Sequence, residues 1–233
     1  MNNCLLMMGG SGTRLGTQIP KQYIEVDGVP IFAYILDKLN KFDAIDNIVI
    51  VSNPAWIDYV EDWKQKLGAN KVKAVVAGGA TRSESVLNGL KVTSEFANDD
   101  DVILIHDATH PYVDEAGALG VIEGVKRYGG ATLGEYQYDT CYRIDENNFI
   151  VQVENRRELV AGASPEAFFF GDIYRIYSSV TTEELETMTS AGAIALAHGI
   201  KMVVVPCNII NLKITYKNDF DAFLKTVHSY FFE

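Results

Sequence analysis

Leu5-Leu6-Met7-Met8 runs into Gly9-Gly10-Ser11-Gly12-Thr13-Arg14-Leu15-Gly16, and Pro20-Lys21-Gln22 follows. Four apolar residues closed by a glycine cluster read as a strand covered on both faces that ends in a tight loop. The pattern recurs. Residues 48–51, 72–76, 102–105, 131–133 and 202–205 are short apolar runs. Helical spacing separates them over 30–42, 54–67, 81–97, 114–128, 182–198 and 217–231. Pro30 and Pro54 suit first turns, Thr81-Arg82-Ser83-Glu84 has a capping-box pattern, and Asp219 favours the start of the last helix. Such alternation predicts an α/β fold with a mainly parallel sheet. Residues 1–233 are expected to form one domain.

Residues 135–157 break the alternation. Residues 138–144 and 149–153 flank the turn signal Asp145-Glu146-Asn147-Asn148, which predicts a projecting β-hairpin. A lone hairpin is marginal in water, so it is expected to pack on a second subunit or back on its own domain.

The chain has 233 residues, 31 acidic and 20 basic, for a net charge of −11, and 48% of it is apolar. That composition describes a globular protein with a substantial core. The acidity argues against nucleic acid, whose phosphates require a basic face. It leaves room for a small anionic ligand, which responds to local charge. No run approaches the ~18–20 apolar residues of a membrane span, and residues 1–10, with no basic segment and only a brief apolar stretch, are not expected to be a secretory signal. Three cysteines, Cys4, Cys141 and Cys207, lack metal or redox spacing. A reducing cytoplasm is the expected location.

Four segments carry chemistry. The 9–16 loop sits where ligands bind in open α/β sheets, beyond a strand's carboxyl end. Glycines there let backbone N–H groups approach phosphate, and Arg14 and Lys21 add charge. Leu15 occupies the third-glycine position of a dinucleotide fingerprint, and no Gly-Lys-Ser/Thr marks a P-loop. Next, Gly78-Gly79-Ala80-Thr81-Arg82-Ser83-Glu84-Ser85 opens a helix whose free N–H groups suit an anion or a pyrimidine carbonyl, or simply a capped start. The third is His106-Asp107-Ala108-Thr109-His110-Pro111. It leaves a strand and meets proline, which argues against a zinc site from His106, Asp107 and His110. Asp107 near a polyphosphate and its Mg²⁺ is the better reading. Last, Lys213 lies in the apolar, strand-like run 211–215, where it needs an anionic partner or snorkels to a sheet edge.

Together these segments resemble the family of 2-C-methyl-D-erythritol 4-phosphate and ribitol 5-phosphate cytidylyltransferases over nearly the whole chain. Asp139-Thr140, Arg156 and Thr189 extend the match. Residues 52–63, with Pro54, Trp56, Glu61 and Asp62, look closer to the ribitol phosphate branch. The resemblance implies a Rossmann-like nucleotidyltransferase three-layer sandwich, a homodimer joined through the hairpin arm, and Mg²⁺-dependent attack of an acceptor phosphate on CTP. It casts Arg14, Lys21, Arg156 and Lys213 as catalytic. Met7, Met8, Gly9, Gly10, Gly12, Gly79, Ala80, Thr81, Arg82, Ser85 and Ala108 would hold the nucleotide. Asp107, Thr140, Arg156, Thr189 and Lys213 would surround the acceptor, Thr140 and Arg156 from across the dimer.

The nucleotide side is nearly intact, apart from Met8 where a small residue is usual and Ala80 where an acid is common. The other departures cluster on the acceptor side. His110 stands for the Arg of Asp-Ala-x-Arg-Pro. Asp-Thr-Ile-Lys becomes Asp139-Thr140-Cys141-Tyr142, Gln-Thr-Pro-Gln becomes Ala163-Ser164-Pro165-Glu166, and Thr-Asp becomes Thr189-Ser190. The expectation is a changed acceptor, a polyol phosphate converted to a CDP-alcohol for a surface polymer. Methylerythritol phosphate turnover, a non-catalytic CTP-binding relative and a Rossmann-type dehydrogenase are the alternatives.

Overall fold

A computed structural model describes residues 1–10, 15–17, 19–181, 183–184, 188 and 190–231. The sheet is built from β1 (Asn2–Met8), β4 (Asn47–Ser52), β5 (Val72–Ala77), β6 (Val102–Asp107), β7 (Gly130–Tyr136), β10 (Val160–Phe169) and β11 (Met202–Pro206), in the order β11-β7-β10-β6-β1-β4-β5. Only β10 runs antiparallel to its neighbours β6 and β7. Two short strands, β2 (Glu25–Val26) and β3 (Val29–Pro30), pair separately.

Alternation along β1 divides the core. Cys4, Leu6 and Met8 face α1 (Ile31–Lys41), α2 (Ile57–Lys66) and α4 (Glu115–Tyr128). Leu5 and Met7 face α3 (Arg82–Thr93), α5 (Phe170–Ser179) and α6 (Ala191–Ala197). Both faces are covered, which is why the strands read as unbroken apolar runs. The last helix, α7 (Lys217–Phe231), forms a third cluster in which Phe223 and Val227 meet Tyr34 and Tyr112. No helix among the described residues is long and apolar enough to cross a membrane.

Several expectations need correction. β10 and α5 were not anticipated as elements. In β10, Pro165 and a register irregularity between Gly162 and Glu166 break the strand pattern. Of the helix expected over 182–198, residues 183–184 and α6 are helical, residues 182, 185–187 and 189 lie outside the described residues, and Ser190 caps α6, its Oγ accepting the Ala193 N–H at 3.0 Å. The run 211–215 is irregular, not a strand. The Thr81 cap forms, its Oγ1 accepting the Glu84 N–H at 3.1 Å, but the Glu84 carboxylate takes the Ala80 N–H instead of closing the box on Thr81. The hairpin is present as β8 (Tyr142–Ile144) and β9 (Ile150–Val153), shorter than expected.

Register aligns the strand ends. Met7 lies beside Asp107 of β6 and Val51 of β4, and Ser52 beside Ala77 of β5. Four parallel strands therefore stop at one level, and their exits form one crevice.

Candidate active site

Each strand exit is pinned. Gln22 Nε2 donates to the carbonyls of Met8 and Gly10, both at 2.7 Å, and the Tyr23 hydroxyl donates to the Met8 carbonyl at 3.0 Å. Tyr23 also accepts the Asn53 N–H at 3.0 Å, tying the end of β1 to that of β4. Beyond β5, Ser85 Oγ accepts the Gly79 N–H at 3.0 Å and donates to the Thr81 carbonyl at 2.8 Å. A Cβ at Gly79 would lie 2.4 Å from that of Glu84, so close approach of the loop to α3 demands glycine there. A Cβ at Gly10 would meet nothing within 4 Å among the described residues.

Two cavities occupy the crevice. The first, about 490 Å³, is lined by Met7, Met8, Gly9, Gly10, Gly79, Ala80, Thr81 and Ser85 together with Lys21, Arg82, Asp107 and Lys213. Its described charged residues are three cations and one carboxylate, a surplus of two positive charges in a chain of net −11. The second, about 640 Å³, shares Thr81, Arg82, Asp107 and Lys213 and extends to His110, Thr132, Ser164, Glu166 and Ser190.

Asp107 stands at the junction. Its Oδ1 accepts from Arg82 Nη2 at 3.1 Å and its Oδ2 from Lys213 Nζ at 2.8 Å, while its own N–H donates to Ser164 Oγ at 3.0 Å. Burial would raise its pKa, but the two cations override burial and hold it well below the usual carboxylate range. Lys213 therefore has the anionic partner its apolar setting required. Lys21 is buried and donates from Nζ to the Ile214 carbonyl, and the Ile214 N–H donates to Thr109 O at 2.8 Å. Those contacts carry the 211–215 segment over the crevice.

The sequence-derived site residues divide. Met7, Met8, Gly9, Gly10, Lys21, Gly79, Ala80, Thr81, Arg82, Ser85, Asp107 and Lys213 meet in the first cavity. Arg14, Gly12 and Thr189 lie outside the described residues. Ala108 is fully buried in the core and donates its N–H to the Met7 carbonyl, so it supports the site from behind instead of lining it. Thr140 and Arg156 belong to the arm. Both are exposed, Arg156 donates to the Tyr138 carbonyl at 2.5 Å, and neither lines either of these two cavities. Asn53 and Thr109 line the first cavity and were not anticipated. Their signal was position: each follows closely on a parallel strand's carboxyl end.

Both oxygens of Asp107, expected beside Mg²⁺, are paired with Arg82 and Lys213, and among the described residues no group of three His, Cys, Asp or Glu could hold a metal by itself. Glu166 accepts the Ala191 N–H at 3.1 Å and the Gly192 N–H at 2.9 Å and so caps α6. The 52–63 segment packs behind the site, with Trp56 stacked on Tyr23 at 4.5 Å and Asn53 alone reaching the first cavity.

Comparison with known proteins converges on this architecture. The IspD profile, 2-C-methyl-D-erythritol 4-phosphate cytidylyltransferase, matches residues 3–225. A ribitol-5-phosphate cytidylyltransferase of Streptococcus agalactiae is 31% identical over 96% of this chain and 94% of its own. A 2-C-methyl-D-erythritol 4-phosphate cytidylyltransferase of Clostridium botulinum is 33% identical over 94% and 96%. The crystal structure of 4-diphosphocytidyl-2C-methyl-D-erythritol synthase from Anaerococcus prevotii superposes with a TM-score of 0.79 at 23% identity, covering 98% of both chains, which supports the fold. With profile, relatives and strand-end crevice in agreement, the chain belongs to the IspD family of cytidylyltransferases, a family of nucleotidyltransferases.

Proposed function

We propose that the protein transfers CMP from CTP to a polyol phosphate of the ribitol 5-phosphate kind, giving a CDP-alcohol and pyrophosphate for a surface polymer. The observation that carries this reading is the pair of cavities meeting at Arg82, Asp107 and Lys213. The first has surplus positive charge for a triphosphate, and the second has balanced charge and hydroxyl-bearing walls for an acceptor. Ribitol phosphate relatives at 30–31% identity support the acceptor class. The Clostridium relative, at 33%, favours methylerythritol phosphate as the second reading.

The chemistry fits these groups. An oxygen of the acceptor phosphate attacks the α-phosphorus of CTP, and the bond to the bridging oxygen breaks. The electron pair leaves with pyrophosphate, and no proton need be removed from the nucleophile. Positioning and charge carry such a displacement. In this reading Lys21 and Arg82 stabilise charge on the triphosphate, with Arg14 as their proposed partner. Lys213, steered by Asp107, receives the acceptor phosphate at the shared wall. Magnesium would serve as the counter-ion of the triphosphate, while Asp107 is held by Arg82 and Lys213.

The arm belongs to the proposal as a homodimer contact. Tyr138, Phe149, Ile150, Val151 and Val153 are all more than half exposed. A two-stranded hairpin carrying such a surface needs a partner. A second copy would also offer Thr140 and Arg156 to a neighbouring site.

Pyrophosphate release should require both CTP and a polyol phosphate, with UTP and ATP at least tenfold poorer. Release from CTP without an acceptor would overturn transfer, and exclusive turnover of methylerythritol phosphate would overturn the acceptor class.

A further inference from the structure

His110 is the one residue of the second cavity that is both charged-capable and uncommitted among the described groups. Its backbone is fixed on both sides, the N–H donating to the Asp107 carbonyl at 2.9 Å and the carbonyl oxygen meeting His106 Nε2 at 2.9 Å. The side chain lines the cavity and is only 9% exposed. Its Nδ1 is shielded from solvent and has no hydrogen-bond partner. A half-turn about χ2 exchanges ring nitrogen and carbon without changing the ring's outline, so the imidazole can present a nitrogen to the cavity.

The neighbouring charges leave no place for a second anion. Arg82 and Lys213 are matched by Asp107 and Glu166. Asp107 is clasped by the two cations, and Glu166 by two backbone amides. Burial pulls His110 down to about 3, with Lys213, His106 and Lys21 acting in the same direction and Asp107 opposing. A neutral imidazole both donates and accepts, as an alcohol does. Thr132, Ser164 and Ser190 add hydroxyls to the same wall.

We propose that His110 is a specificity-determining residue that hydrogen-bonds a hydroxyl of the acceptor, so that the second cavity selects a phosphate ester whose remaining chain is uncharged and hydroxyl-bearing. The inference rests on the transferase reading and deepens it. In that arrangement the phosphate stays at the Arg82–Lys213 wall and the polyol chain extends past the imidazole.

The test compares wild type, His110→Gln and His110→Leu, with CTP and either ribitol 5-phosphate or its single-deoxy analogues. Wild type should turn over at least one deoxy analogue tenfold or more worse than the parent. His110→Leu should raise the acceptor KM at least tenfold, leave the CTP KM within twofold, and abolish that discrimination. His110→Gln, a neutral donor and acceptor, should recover part of it. If His110→Leu matches wild type for the parent and analogues, or if wild type accepts all analogues equally, the inference is overturned while the transferase reading stands. The second arm needs no variant to fold. If wild type releases no pyrophosphate with any polyol phosphate, the transferase reading falls and the inference falls with it.

Discussion

Burial of two histidines should make the protein's stability depend on pH. His106 is fully buried, and burial lowers it from 6.5 to about 4, with the His110 carbonyl and Asp107 opposing. His110 is lowered from 6.5 to about 3, mainly by burial. Both are neutral in the folded protein, whereas the unfolded chain binds protons as the pH drops below 6.5. Acidification therefore favours unfolding. The stability is fully present above about pH 6.5 and is lost as the pH falls toward the folded values. From these values each histidine contributes a loss of about 2 kcal/mol between pH 7.5 and pH 5, so the pair contributes about 4 kcal/mol. That is a large share of the ~5–15 kcal/mol typical of a folded domain. Guanidinium titrations at the two pH values, read by tryptophan fluorescence and far-UV circular dichroism, measure it. His110→Gln removes one titrating group and should shrink the pH difference by about 2 kcal/mol. If the variant kept the full wild-type difference, His110 would not be a buried neutral imidazole, and the reasoning about its cavity would fail with it.

Other expectations are more local. Lys21→Met keeps a long, buried side chain and removes its charge, so kcat should fall ~10²–10³-fold, while loss of its bond to the Ile214 carbonyl should cost about 1–3 kcal/mol of stability; turnover within threefold of wild type would remove Lys21 from the reaction. Gly192→Ala would place a methyl carbon 2.5 Å from Glu166 Oε1. It should displace the carboxylate that caps α6, cost about 1–3 kcal/mol in chemical denaturation, and raise the acceptor KM without changing that for CTP. Phe149→Ser with Val151→Ser should convert a dimer to a monomer by sedimentation velocity, and an unchanged sedimentation coefficient would reject the arm as the dimer contact.

Much of this was legible in the residues, for reasons that also explain the gaps. β1, β4, β5, β6, β7 and β11 read as apolar runs because helices cover the sheet they form. β10 did not, because Ser164-Pro165-Glu166 interrupts it, and a Pro within a run argues against a strand. The α5 helix escaped notice because Phe169, at its N-cap, makes no side-chain cap bond. Lys21, Arg82, Asp107 and Lys213 were each identifiable by type and position. The clasp was not, since Lys213 meets Asp107 across 106 residues of chain. The role of Glu166 was hidden for the same reason. Its partners, the Ala191 and Gly192 amides, become visible only when α6 docks beside β10.

The central claim is CMP transfer to a polyol phosphate. Its most direct measurement is a competition: CTP and Mg²⁺ with equimolar ribitol 5-phosphate and 2-C-methyl-D-erythritol 4-phosphate, products followed by mass spectrometry and phosphorus NMR. The account predicts CDP-ribitol and pyrophosphate in a one-to-one ratio, with the ribitol product dominant. Only the methylerythritol product, or CMP with neither CDP-alcohol, would contradict it.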